Sequence, residues 1–419
     1  MTYRQLRTDF GAWLYVAGMP HVHSVSSGVL VYAGTIDESW PKEAGLAHAF
    51  EHMVFQGTAR FPDSRSAADY LESVGGSSNA WTWKEHTFFH AHAPDTDWKR
   101  TIIWLAEILN APRFDSKKIG SEMKIILEEI KRHRDNPSSY VGEAGEALLY
   151  SDHPLGRSTL GLEESVSSFQ KEDFLSWQAQ HYYPENFAFL VAGNVNAKSV
   201  LDFINKSFSS AATKQNRRLP LFDLPHPPDF KPPINAEKIV EREVEQVNIY
   251  LAAPIPGFYT RETAVLDFFS DMLGAGSSFP LFQEVRDKLG LCYSIGSGVY
   301  RWDDVGSFII FLGTDVKRWK LALDTIFKVI RKSAGDPALL KKTKRVLKGR
   351  LAIGVDSSFE VLNKMSMDMV FCGLPRGLEE TLAEIQSVTL NEVWQAVRHY
   401  LTPEKFVRAF VAPKGFKTS

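Results

Sequence analysis

A long repeat within the chain sets the strongest limit on its fold. His181-Tyr-Tyr-Pro-Glu-Asn-Phe, followed by the apolar run Ala188-Phe-Leu-Val-Ala, recurs as His399-Tyr-Leu-Thr-Pro-Glu-Lys-Phe followed by Val407-Arg-Ala-Phe-Val-Ala. The offset is roughly 219 residues, which marks an internal duplication. Near the same offset the helical segment Ala44 to Phe55 faces Ala264 to Leu273. Each follows a strand-like run, Ser27-Gly-Val-Leu-Val-Tyr-Ala-Gly in one half and Val247-Asn-Ile-Tyr-Leu-Ala-Ala in the other. Between the copies, Pro220, Pro225, Pro227, Pro228, Pro232 and Pro233 forbid both regular helix and central strand. The reading is therefore an N-terminal domain over 1–215, a proline-rich linker over 216–236 and a homologous C-terminal domain over 237–419.

Each half starts with β-rich segments, passes through helices and returns to a strand. That order predicts α+β domains, each a largely antiparallel sheet packed with helices. Neither a P-loop nor a dinucleotide-type glycine loop is present. With 44% apolar and 23% charged residues among 419, the chain can fill two cores. Lys plus Arg (48) nearly cancels Asp plus Glu (50), so the cationic excess that nucleic acids require is absent. Cys292 and Cys372 are too few for a disulfide framework, and a buried small side chain is the reading for Cys292. No signal-peptide core or membrane-length apolar run is seen, so a cytoplasmic protein without membrane partners is expected.

Chemistry concentrates in Gly45-Leu-Ala-His48-Ala-Phe-Glu51-His52-Met-Val-Phe-Gln-Gly57, which contains His-x-x-Glu-His. Pro41 suits a first helical turn. Leu46, Phe50, Met53 and Val54 then form one apolar stripe, and His48, Glu51 and His52 share the opposite face. Imidazoles at i and i+4 can both reach one metal ion. Glu51 is left to take a proton from a water that zinc has acidified from 15.7 to roughly 7. A catalytic zinc also needs a third protein ligand. Ser121-Glu122-Met-Lys-Ile-Ile-Leu-Glu128-Glu129-Ile130 offers carboxylates on a second helix.

These residues resemble the inverted-motif zinc peptidases of the pitrilysin family, to which insulin-degrading enzyme and mitochondrial processing peptidase belong. The resemblance runs nearly the full length. It implies that Glu129 rather than Glu128 completes the zinc site, with Glu122 orienting a ligand two helical turns away, and that one zinc is bound per chain. Gly75-Gly-Ser-Ser-Asn79-Ala80-Trp-Thr82 is similar to the family's edge-strand segment, so Asn79 and Ala80 are expected to bind the substrate backbone as an added strand. Arg286 and Tyr293 resemble the Arg and Tyr pair that contacts substrate near the scissile bond, and both can donate hydrogen bonds to carbonyl oxygens. Ser278-Phe279-Pro280 departs from a more usual Ser-Arg stretch. At the repeat offset, Asp267, Ser270 and Asp271 stand where His48, Glu51 and His52 stand in the first half, so the second half supports rather than binds zinc.

The expectation is a zinc endopeptidase cleaving peptides or unfolded segments. The two-domain length implies a clamshell dimer, a homodimer in the simplest case, with a heterodimer as the alternative. Two other functions stay open: a non-catalytic scaffold subunit, and a zinc hydrolase acting on something other than peptides.

Overall fold

A computed structural model describes residues 3–208, 231–257, 260–302 and 305–418. They gather into two compact units. The first holds residues 3–130, 158–208 and 351–380; the second holds 131–157, the described part of 231–350, and 381–418. Most of the proline-rich stretch, 216–230, lies outside the described residues. Each unit also draws on a segment from the far side of that stretch.

Six strands form the first sheet: β1 (Arg4–Arg7), β2 (Trp13–Gly18), β3 (Ser24–Val31), β4 (Ser77–Thr82), β5 (Thr87–Pro94) and β6 (Phe187–Gly193). Their order is β1-β2-β6-β3-β5-β4, with β2 and β6 parallel and the other pairs antiparallel. The second sheet is built from β7 (Glu237–Arg242), β8 (Gln246–Pro256), β9 (Cys292–Arg301), β10 (Val305–Asp315) and β11 (Val407–Pro413). It runs β7-β11-β8-β10-β9, and here β7 and β11 are the parallel pair. Without β1 the two orders coincide strand for strand. The duplication read from the repeated His-Tyr segments is thus present in the topology, and both units are α+β.

Both sheets are covered on two faces, which explains why β6 is buried along its whole length. Alternate residues of a strand point to opposite faces. On the first sheet, Val25, Val29, Val31, Phe89 and Ala91 pack into a core with the helix Leu46–Val54. Leu30, Phe88 and Leu190 point the other way and meet Val361, Leu362, Met365 and Met369 of the helix Ser358–Cys372. On the second sheet, Ile249 and Leu251 face the helix Arg261–Gly274. Its opposite face receives the helix Pro137–Tyr150: a Cβ on Gly145 would overlap the Tyr250 ring, and Trp302 Nε1 donates to Tyr150 Oη at 3.1 Å. No described helix is long and apolar enough to cross a membrane.

Candidate metal centre

The helix that carries the motif starts at Leu46, and Pro41 lies in the turn ahead of it rather than in its first turn. Gly45 explains the late start. It holds φ +90°, and a Cβ there would come 2.7 Å from the Leu160 carbonyl oxygen. The buried Glu38 reaches this entry from upstream, where its two oxygens accept the N–H groups of Gly45 and Ala47, each at 3.0 Å. Two of the donors that a helix start leaves open are satisfied in this way. Burial pushes Glu38 up to about 8, against the pull of those two donors.

Leu46, Phe50, Met53 and Val54 are buried, as their spacing requires, which leaves the other face to the motif. His48 and His52 rings sit 4.7 Å apart, centroid to centroid. A second helix, Ser116–Asp135, brings up Glu129, whose Oε2 lies 3.9 Å from His48 Nε2 and 3.8 Å from His52 Nε2. Its Glu122 Oε2 lies 3.4 Å from His52 Nδ1, on the far side of that ring. Glu51 faces β4, where Thr82 Oγ1 donates to its Oε2 at 2.5 Å.

These groups suit a divalent cation. One donor atom from each of His48, His52 and Glu129 lies within 4.8 Å of the other two. A tetrahedral zinc with bonds near 2.1 Å holds its ligand atoms about 3.4 Å apart, so side-chain shifts of an ångström or less would close the set. Burial, with the neighbouring His52, lowers His48 to about 3, which keeps its imidazole neutral and its lone pair available. For His52, burial works to lower the pKa, but the Glu122 hydrogen bond and the charges of Glu51 and Glu129 outweigh it and hold it above its ordinary value. Burial raises the Glu51 carboxyl against the Thr82 bond and His52. Three carboxylates around two imidazoles leave an acidic basin whose negative charge a dication would largely offset.

Sequence reasoning missed Glu38 and left Thr82 as one letter of a strand motif. An acidic residue ahead of a helix start is a recognisable signal for the first. Nothing short of strand register reveals the second. Asn79 and Ala80 lie on β4, the edge strand, opposite His90 and Phe89 of β5. Arg286 and Tyr293 lie in the second unit beside one another, the guanidinium carbon 5.0 Å from the Tyr293 ring centre and 4.5 Å from that of Phe282. Tyr293 is 78% exposed.

Comparison with known proteins gives the family. The family model "Insulinase (Peptidase family M16)" matches residues 16–163, and "Peptidase M16 inactive domain" matches 168–347. An uncharacterized zinc protease of Mycobacterium leprae is 30% identical over 408 residues, covering 95% of this chain and 89% of its own. The chain belongs to the insulinase family, peptidase family M16. Another relative, the uncharacterized zinc protease YmxG of Bacillus subtilis, is 28% identical across 97% of both chains. The crystal structure of a protease from Helicobacter pylori has the same fold, with a TM-score of 0.89 and 20% identity over 98% of this chain and 99% of that one. A structure described as a peptidase M16 inactive domain from Pseudomonas fluorescens follows at 0.86 and 20%, covering 100% and 99%.

Proposed function

We propose that the protein is a zinc-dependent endopeptidase acting on peptides or unfolded segments. The observation that carries this reading is the convergence of His48, His52 and Glu129 donor atoms within 4.8 Å, with Glu51 held alongside. Zinc held by those three residues would polarise the scissile carbonyl and acidify the attacking water. Glu51 takes the proton as the water oxygen bonds to the carbonyl carbon. It then passes that proton to the amide nitrogen as the C–N bond breaks. Glu122 orients His52 through Nδ1. The substrate pairs with the free edge of β4 beside Asn79 and Ala80, which favours extended backbone over particular side chains. Arg286 and Tyr293 are assigned as donors to substrate carbonyl oxygens, where they would stabilise developing negative charge. A homodimer working in the cytoplasm completes the proposal, with a heterodimer as its variant.

One observation favours a second reading, a non-catalytic or partner-dependent subunit: residues 168–347 match a family model described as inactive. Cleavage of a quenched fluorescent peptide library by wild type and Glu51→Gln, with zinc determined on both, separates the two. The peptidase reading expects zinc in both preparations and a loss of turnover of at least about a thousandfold in Glu51→Gln. Zinc-loaded wild type that cuts no peptide would favour the second reading. Equal turnover by the variant would refute the role of Glu51.

A further inference from the structure

We propose that Thr82 is a positioning residue for Glu51, holding its carboxylate from the edge strand so that one oxygen faces the attacking water. The inference rests on the peptidase reading above and deepens it.

A glutamate reaches its carboxylate through three rotatable bonds, and the helix that carries Glu51 fixes only its Cα. Thr82 supplies what the helix does not. It is the last residue of β4, pairs with Thr87 of β5, and shares the inward face of the strand with Ala80. Its Oγ1 donates to Glu51 Oε2 at 2.5 Å. That bond ties down one carboxylate oxygen, and Oε1 is then the oxygen left to accept the proton. The same strand is the proposed docking edge for the substrate. A peptide added to β4 therefore firms the residue that aims the base, so occupancy of the edge and alignment of Glu51 become linked. A bond that merely pins helix to strand would behave differently, because valine matches threonine in shape and preserves packing while removing the hydroxyl.

The test compares zinc-loaded wild type, Thr82→Val and Thr82→Ser in kcat, KM, zinc content and thermal midpoint, with crystal structures of the three. Thr82→Val is expected to lower kcat by about 10–100-fold while zinc stoichiometry, midpoint and KM stay near wild type. Thr82→Ser restores most of kcat. In the crystals Glu51 holds one rotamer in wild type and in Thr82→Ser and spreads over several in Thr82→Val. Unchanged kcat together with an unmoved Glu51 in Thr82→Val overturns the proposal. So does equal impairment of the Val and Ser variants, which would assign Thr82 to packing. If wild type itself has no turnover, the peptidase reading fails alone, and the Glu51 rotamers still decide whether Thr82 positions it.

Discussion

Residues two apart on β5 show how far burial decides protonation in the first unit. The ring of His90 packs against Phe88 at 5.6 Å and against Phe359 at 5.3 Å, and that of His92 meets Phe359 and the Ser26 hydroxyl. Burial, with His92 adding to it, lowers His90 to about 4 from 6.5, and burial lowers His92 too. A histidine kept neutral by the fold but free to protonate when unfolded makes acid destabilising. Its contribution is fully present above pH 6.5 and is lost as the pH falls from there toward 4. For His90 the loss between pH 7 and pH 5 is on the order of 2 kcal/mol. Urea unfolding at both pH values should show wild type losing more stability on acidification than His90→Gln does. Equal losses would show that His90 is not a source of the sensitivity. The sequence displayed the two histidines but not their burial, because β5 reads as a half-polar strand until the helix Ser358–Cys372 is known to cover it.

At the scale of the element, the motif helix was legible as a helix with an apolar stripe and a metal-binding face, since both follow from one periodicity. Its entry was not legible. Pro41 invites a first turn, whereas the backbone needs Gly45 in a left-handed conformation and the Glu38 carboxylate over the opened N–H groups. The signals compete locally, and the contact of Gly45 with the backbone of Leu160, far along the chain, decides between them. Because His48 stands in the first turn, loosening this entry should weaken the metal site as well as the fold. Glu38→Ala is expected to cost about 2 kcal/mol, the worth of a buried cap that accepts two backbone bonds, and to weaken zinc binding measurably in competition with a chelator. Unchanged zinc affinity in a destabilised variant would mean that the first turn holds its shape without the cap.

At the scale of the molecule, the repeat and its strand–helix pattern made two homologous sheets readable, and the strand orders agree. Which helix covers which sheet could not be read. The apolar positions Val361, Leu362, Met365 and Met369 announce a buried face on the helix Ser358–Cys372, but an amphipathic pattern says only that a partner exists. That partner is the sheet of the first unit, although the helix lies in the second half of the chain. The unit holding the candidate metal centre is therefore incomplete in residues 1–208. Lacking that helix, Leu30, Phe88 and Leu190 would be left open, each worth about 1.5–3 kcal/mol when covered. An exposed apolar face of that size favours association with other chains. Residues 1–208 expressed alone should aggregate or bind a hydrophobic dye without cooperative unfolding, whereas the same residues joined by a flexible linker to 351–380 should unfold cooperatively. In the intact chain, Met365→Ala should cost about 2–5 kcal/mol, read as a drop in the urea midpoint. A fragment 1–208 that unfolds as sharply as the whole protein would show that the sheet does not depend on its distant helix, and the duplicated halves would then fold independently of the segments they exchange.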